Sequence, residues 1–199
     1  MSSVSETIVR EYFELHEFLV RQHRKYIAQT KREEDDIDFF VLNPHPQKRE
    51  GELPFVLGSD DLAGIDRAIV AVKGWHTETF SSARITSTPE LFRFVGTKVF
   101  QQAARVFGES ASTLKILVIP TLPQGEQARA ESIALLRSKG IDAVIPFRTV
   151  LADLVRKTEV NRNYQKSDLL QMIRILKNYD FFKEPQLELF KAKRKRKTS

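Results

Sequence analysis

Apolar residues recur with helical spacing near the beginning of the chain. The apolar positions that fall on one side of this segment are Ile8, Val9, Tyr12, Phe13 and Leu15. Ser5 lies just before them and has the short hydroxyl side chain that is favoured at a helix N-cap. The pattern therefore predicts an amphipathic helix from Ser5 to Leu15.

Five later segments have the apolar, β-branched and aromatic composition of strands. They are FLVRQHRKYI from Phe18, IDFFVLN from Ile37, AIVAV from Ala68, LKILVIP from Leu114 and IDAVIPF from Ile141. The first has basic residues between its apolar ones, which is typical of a strand that emerges into solvent. The fourth is almost continuously apolar, which favours a strand buried on both faces.

Breaker and capping residues place helices and loops between these strands. Ser87-Thr88-Pro89-Glu90 has the spacing of a capping box and a proline suited to a first turn, so it predicts a helix from about Pro89 to Phe107. Gly140 would close a helix that follows Gly125. The remaining predictions are helices at 150–156 and 167–179 and a long irregular loop at 45–66.

The resulting order is α-β-β-β-α-β-α-β, followed by helices. Three successive strands predict antiparallel pairing, and strands that alternate with helices predict parallel pairing. The expected fold class is therefore α/β, with a mixed central β-sheet flanked by helices and a C-terminal helical extension. The predicted divisions are an α/β domain at 1–148, the helical extension at 149–190 and a disordered basic tail at 191–199.

Composition narrows the class of protein. The chain has 199 residues, of which 41% are hydrophobic and 29% charged, as in ordinary globular proteins. No apolar run approaches the roughly 20 residues of a spanning helix, and the N-terminus lacks the layout of a signal peptide. We therefore expect no membrane association and a cytoplasmic location, or a nuclear one in a eukaryote. The absence of cysteine excludes disulfides and thiolate chemistry.

The net charge of +6 is concentrated at the C-terminus. The last nine residues contain six basic residues and no acid, so residues 1–190 are neutral overall. Such a run is usually a solvated end of the chain, although it also suits a phosphate-binding arm or a nuclear import signal. The candidate nucleic-acid contacts in this tail are Lys193, Arg194, Lys195 and Arg196. Arg21, Arg24 and Lys25, between the first two predicted strands, are further candidates.

The segment RAIVAVKGWH places Lys73 directly after a buried strand. Together with ETIVREYFELHEFLV, DIDFFVLN and the order of elements, it resembles the restriction-endonuclease-like superfamily, the PD-(D/E)xK nucleases. The resemblance is greatest to the branch with Holliday-junction resolvases and Mrr-like enzymes, and it covers roughly residues 3–148. It implies the mixed α/β fold described above and a metal-dependent nuclease site at one edge of the sheet.

The resemblance assigns roles to three residues. Glu6 matches the acid of the first helix, Asp38 matches the strand aspartate in preference to Asp36, and Lys73 matches the motif lysine. The acid expected two residues before the lysine is replaced by Ala71. Asp38 and Glu6 would then be the ligands of Mg²⁺, an ion that is often held by only one or two carboxylates and several waters.

A displaced acid is one alternative to a weakened site. Glu78, just past the strand, and Glu90, in the predicted capping box, are the candidates for a relocated ligand.

Each candidate residue of the site also has a purely structural interpretation. Glu90 suits a helix cap, Glu78 a solvated loop, Glu6 the positive end of a helix and Asp38 a turn. Lys73 would then extend its ammonium to water.

The resemblance, together with the basic residues, implies a protein that binds or processes nucleic acid, DNA rather than RNA, on a nuclease fold with an altered metal site. Catalytic activity stays open at this level, and a homodimer is compatible with the sequence. A non-enzymatic interaction scaffold is the first alternative, and an active Mg²⁺-dependent nuclease with a relocated acid is the second. The four histidines lack zinc-site spacing, and neither a phosphate-binding glycine loop nor a nucleophile elbow is present.

Overall fold

A computed structural model describes residues 3–22, 37–48, 51–108 and 113–182. The chain forms two compact units, and the boundary between them in the sequence lies between Lys157 and Thr158. The elements of the first unit are α1 (Ser3–Leu15), β1 (Leu19–Gln22), β2 (Phe39–Leu42), β3 (Arg67–Val72), α2 (Ser82–Thr86), α3 (Thr97–Phe107), β4 (Leu114–Ile119), α4 (Glu126–Ser138), β5 (Ala143–Pro146) and α5 (Phe147–Lys157), with 3₁₀ helices at Ser59–Gly64 and Pro89–Val95. The second unit contains α6 (Asp168–Asn178).

The first unit is built on a five-stranded mixed sheet with the order β1-β2-β3-β4-β5. The pairs β1/β2 and β2/β3 are antiparallel, whereas β3/β4 and β4/β5 are parallel. This confirms the predicted α/β class with a mixed sheet. The parallel pairs require crossover connections, and α2, α3 and α4 lie in those connections.

Alternate residues of the strands face the same hydrophobic core, and this alternation favours one register of pairing. Gln22 pairs with Phe39, Phe39 with Val70, and Val72 with Val118. One hydrophobic core combines alternate strand residues with apolar residues of α2, the second 3₁₀ helix, α3 and α4. Helix α1 packs on α5 and contacts β1 and β3. The sheet is therefore flanked by helices.

The segment 45–66 is more ordered than an irregular loop. It contains the 3₁₀ helix Ser59–Gly64, and its residues 55–57 lie along β5. The backbone N–H of Val144 donates to the carbonyl of Phe55 at 2.7 Å, and the N–H of Leu57 donates to the carbonyl of Val144 at 2.9 Å. This pairing satisfies backbone groups on the outer side of β5. The composition of the segment did not predict it.

The prediction of one helix from Pro89 to Phe107 is wrong. A 3₁₀ helix spans Pro89–Val95, Gly96 is extended with φ −66° and ψ 159°, and α3 begins at Thr97. Pro89 does occupy the first turn, but Thr88 makes no side-chain capping bond. The short helix α2 before it was not predicted, although its N-cap Ser81 accepts a hydrogen bond from the N–H of Arg84 at 3.3 Å.

The later helices agree more closely with the pattern. Gly140 follows α4 with φ +86°, as expected of a glycine that ends a helix. Helix α5 starts at Phe147, directly after β5, and α6 starts after Ser167, whose Oγ accepts from the N–H of Leu170 at 3.2 Å. In the described ranges, no helix is long and apolar enough to cross a membrane.

Candidate functional site

The first turn of α1 lies against the chain that leaves β3. A Cβ atom built on Gly74 would lie 2.5 Å from Oγ of Ser5 and 3.0 Å from its Cβ, so only glycine allows this approach. Ser5 is buried, and its Oγ lies 2.9 Å from Nε2 of His76. The prediction that Ser5 caps α1 is wrong, because the helix already includes Ser3 and Ser5 bonds to the β3 connection instead.

Asp38 lies beside the last residues of β3. Its backbone N–H donates to the carbonyl of Val70 at 3.0 Å, and its Oδ2 accepts from the backbone N–H of Val72 at 2.6 Å. The side chain has no exposed surface. Asp38 thus contacts the residues on both sides of Ala71, the position at which the nuclease motif would have its acid. A buried carboxylate bonded to a backbone N–H of the neighbouring strand differs from the turn residue of the structural interpretation.

Lys73 continues β3 for one residue past its end. Its backbone N–H donates to the carbonyl of Val118 at 2.9 Å, which keeps it paired with β4. The residue is only 3% exposed, so its side chain does not extend freely into water. Lysine is almost never buried to this extent unless its ammonium is paired. Lys73 and Asp38 are therefore two buried charged residues at the same end of β3.

Glu6 belongs to the same end of the sheet. It is half-buried, and its Oε2 accepts a hydrogen bond from Nε2 of Gln22 at 3.2 Å. Gln22 is the last residue of β1 and pairs with Phe39, the neighbour of Asp38. The structure thus places Glu6, Asp38 and Lys73 at the ends of three elements that lie close together. Glu6 is linked to β2 through Gln22 of β1, and its neighbour Ser5 contacts the chain after β3.

Ala71 is a core residue. It has no exposed surface and belongs to the same apolar cluster as Phe40, Ile69 and Leu117. Because side chains two apart on a strand point to the same face, Lys73 is expected to lie on the side of the sheet that Ala71 faces. An acid at position 71 would have to lie between this cluster and Asp38.

The two candidates for a relocated acid occupy different surroundings. Glu78 lies beyond Gly74, and its Oε2 pairs with Nε of Arg84 at 3.3 Å. The guanidinium of Arg84 in turn lies over the ring of Trp75, 5.2 Å from its centroid. Glu90 is exposed in the 3₁₀ helix Pro89–Val95, whose N-cap makes no side-chain bond, so the capping-box interpretation of Glu90 is wrong.

His76 and Ser5 are polar residues of this site that the motif did not assign. The imidazole of His76 bonds to Ser5 and packs edge-on against the ring of Phe147 at 4.4 Å, between α1 and the start of α5. Their signal in the sequence was Lys-Gly-Trp-His, in which a glycine directly after a strand allows another backbone segment to approach closely.

Of the predicted nucleic-acid contacts, only Arg21 lies in the described part of the chain. Arg21 is exposed on β1. The positions outside the described ranges include the predicted nucleic-acid contacts Arg24, Lys25, Lys193, Arg194, Lys195 and Arg196, and the alternative acid Asp36. Among the described residues, no group of three or more histidine and carboxylate side chains is arranged to hold a metal ion. The candidate donor set is therefore limited to the two carboxylates of Glu6 and Asp38.

Comparison of the chain with protein-family models, with curated proteins and with solved structures gives no match. The distinctive features of the site are two buried charged residues, Asp38 and Lys73, at the end of β3, the helix acid Glu6 at the same end of the sheet, and an alanine at position 71.

Proposed function

We propose that the first unit is a restriction-endonuclease-like domain that binds nucleic acid, with DNA favoured over RNA, at the end of β3. The observation that carries the proposal is the burial of Asp38 and Lys73, both less than 4% exposed, at the same end of that strand. Burying charged side chains costs several kcal/mol, about as much as a single strong stabilising contact supplies. A fold that needed only stability would favour apolar residues there.

The order of elements supports the same proposal. A helix, three antiparallel strands and then parallel crossovers bring the first turn of α1, the start of β2 and the end of β3 to one edge. This is the arrangement in which the nuclease motif residues converge. Glu6, Asp38 and Lys73 match it by position, and Ala71 departs from it.

The departure bears on metal binding. Two carboxylates on different elements suit Mg²⁺, which retains several waters, better than a transition metal that needs nitrogen ligands. Asp38 and Glu6 would hold the ion, which when bound stabilises negative charge on a phosphate. Lys73 would place a fixed positive charge beside the same phosphate. Without a carboxylate at position 71, binding of nucleic acid is favoured over its hydrolysis.

The test is a titration of short duplex DNA, single-stranded DNA and RNA at several salt concentrations. We expect affinity to fall steeply as salt rises, because phosphate contacts release counterions. Arg21→Gln should reduce the magnitude of the salt slope by about one, whereas Arg129→Gln, which changes an exposed arginine of α4, should leave it unchanged. Removal of residues 191–199 should lower the slope further.

Two outcomes would favour the alternatives. Absence of binding to all three nucleic acids at low salt would overturn the proposal and favour an interaction scaffold. Mg²⁺-dependent cleavage that disappears in Glu78→Gln or Glu90→Gln would show that the catalytic acid lies outside β3. The second result would keep the fold assignment and replace the binding function by an enzymatic one.

A further inference from the structure

A second polar site lies at the opposite end of α1. His16 and Glu6 are ten positions apart in the sequence, which corresponds to about 15 Å along a helix axis. Here a cavity of about 350 Å³ has His16, Phe18, Asn43, Ser59, Leu62 and Lys157 among its lining residues. We call it the α1–α5 pocket, because His16 follows α1 and Lys157 ends α5. Its volume is that of a small-molecule site at the lower end of the usual range.

A Schellman motif fixes the position of His16 in the pocket. The N–H of Phe18 donates to the carbonyl of Phe13 at 3.1 Å, and the N–H of Glu17 donates to the carbonyl of Glu14 at 2.9 Å. Glu17 has the left-handed φ of 64° that this motif requires, and the rings of Phe13 and Phe18 pack edge-on at 5.4 Å. The helix end is therefore rigid, and it holds the imidazole of His16 against α5.

Asp153 determines which nitrogen of His16 carries a proton. Its side chain is 2% exposed, and its Oδ2 lies 2.6 Å from Nε2 of His16. Because an ionised carboxylate only accepts hydrogen bonds, Nε2 is the donor and Nδ1 of the neutral ring is the acceptor. The other carboxylate oxygen of Asp153 accepts from Arg156, whose guanidinium also lies 3.7 Å from Asp60.

Lys157 supplies the positive charge of the pocket. Its Nζ lies 3.2 Å from Nδ1 of His16, so an ammonium faces the unprotonated nitrogen of a neutral imidazole. Within the described ranges, no ion pair links Lys157 to a carboxylate. The nearby negative charge of Asp60 is matched by Arg156, and the exposed Glu17 is the other acidic group of the lining. The pocket thus offers the Lys157 ammonium and the His16 imidazole to an incoming ligand, and the exposed His45 is a further imidazole of its lining.

We infer that the α1–α5 pocket binds a phosphate group, either as the free ion or as a small phosphate monoester. The phosphate would accept hydrogen bonds from the Lys157 ammonium and from Nδ1 of His16, which takes up a proton as the anion binds. An ammonium binds phosphate as a point charge, and the guanidinium of Arg156 is already engaged by Asp153. This site is independent of the proposed nucleic-acid function.

The groups that face His16 shift its pKa in opposite directions: burial, Lys157 and Arg156 lower it, whereas Asp153 raises it. Asp153 and Arg156 lie on its Nε2 side, Lys157 on its Nδ1 side, and the ring of Tyr12 packs edge-on at 5.1 Å. In the free protein, burial lowers the pKa of His16, and Asp153 only partly opposes this. A bound phosphate would add a negative charge on the Nδ1 side, so the imidazolium would lie between two anions.

The experiment is a titration of the full chain with inorganic phosphate and, separately, with phenyl phosphate, followed by the ring C–H signals of the histidines in NMR spectra. His16→Gln identifies the His16 signal. We expect saturable binding with a Kd on the order of millimolar for the free ion, and a His16 pKa that rises on saturation. Tighter binding of phenyl phosphate than of phosphate would identify the monoester as the preferred form; the reverse order would identify the free ion.

Three variants with different expected effects on phosphate binding test the assignment. Lys157→Gln should weaken phosphate binding about tenfold, the value of one charge-assisted hydrogen bond. Glu17→Gln should strengthen it about two- to threefold by removing an exposed like charge. Lys139→Gln, which changes an exposed lysine after α4, should have no effect. Equal effects of Lys157→Gln and Lys139→Gln, or a His16 signal that does not respond to phosphate, would overturn the inference.

Discussion

Gly74 and Ser5 lie so close that a methyl group on Gly74 would overlap the Ser5 hydroxyl at 2.5 Å. The φ of Gly74 is not positive, so the requirement for glycine is steric rather than conformational. This contact fixes the distance between the first turn of α1, which carries Glu6, and the chain that carries Lys73. The absence of a side chain at Gly74 therefore allows the two parts of the proposed site, α1 and the chain that leaves β3, to pack closely.

Gly74→Ala is expected to destabilise the first unit by about 1–3 kcal/mol, as overpacking in a dense region does. The added methyl group would also displace the Ser5 hydroxyl from His76. Urea unfolding followed by circular dichroism measures the change in the free energy of unfolding.

A double-mutant cycle isolates this contact. Ser5→Gly removes both atoms that the methyl group would meet, at a cost of about 1 kcal/mol in helix propensity. The double variant should therefore lose less stability than the sum of the two single variants. Strictly additive losses would show that Gly74 is required for another reason.

Glu17 occupies a backbone conformation that favours glycine. It stands at the left-handed position of the Schellman motif that ends α1, with φ 64°. Glu17→Gly should raise the free energy of unfolding by about 0.5–1 kcal/mol, because the strain of a side chain in this region is removed. Glu17→Gln retains the strain and changes only the charge, so it should have a smaller effect. Equal stabilisation by both variants would attribute the gain to electrostatics.

The His16–Asp153 pair makes stability depend on pH. Burial lowers the pKa of His16 in the folded protein, so between that pKa and about 6.5 the unfolded chain binds more protons than the folded one. Stability should therefore rise with pH through this window and fall as the solution is acidified below about 6.5. Unfolding by urea at a series of pH values measures the slope.

The variant His16→Gln identifies the source of that slope and should flatten it. Burial would raise the pKa of Asp153, but hydrogen bonds from His16 and Arg156 outweigh this and hold the pKa below its usual value. Its contribution is present above about pH 3.9 and is lost as the pH falls further. A slope that persists unchanged in His16→Gln would contradict this account.

Most of the strands could be predicted because they are short apolar runs rich in β-branched residues and bounded by turn residues. The AIVAV run of β3 and the LKILVI run of β4 are long enough to be buried, and the turn residues around them leave few alternative boundaries. The helix at 89–107 could not be predicted correctly, because Gly96 interrupts an otherwise consistent helical pattern. A single glycine is tolerated in many helices, so its effect depends on tertiary packing.

The site was only partly predictable for a related reason. Motif spacing identified Asp38 and Lys73 as candidates, but their burial depends on tertiary packing that the sequence pattern does not show. The α1–α5 pocket was not predicted, because His16 and Asp153 are 137 residues apart in the sequence. Neither residue lies in a local pattern that distinguishes it from an ordinary surface residue. Only the docking of α5 on the end of α1 brings them together.

Ala71→Glu tests whether the end of β3 is a metal site that has lost one ligand. The substitution would place a carboxylate in the apolar cluster of Phe40, Ile69 and Leu117, beside Asp38. Without metal, we expect a loss of about 3–5 kcal/mol in stability, the usual cost of an uncompensated buried charge. If the position completes a Mg²⁺ site with Asp38, millimolar Mg²⁺ should recover much of this loss, because an ion that binds only the folded state stabilises it.

Ala71→Gln is the matched control, since it adds nearly the same volume without the charge. Unfolding curves of both variants with Mg²⁺ and with a chelator provide the comparison, and titration calorimetry measures the metal affinity directly. Recovery by Mg²⁺ in Ala71→Glu alone would support the nuclease ancestry of the strand, and Mg²⁺-dependent DNA cleavage by that variant, abolished by Lys73→Ala, would extend it to catalysis. If Mg²⁺ affects both variants equally, or neither of them, position 71 is a core position only. The match between β3 and the nuclease motif would then be wrong, and the burial of Asp38 and Lys73 would need a structural explanation.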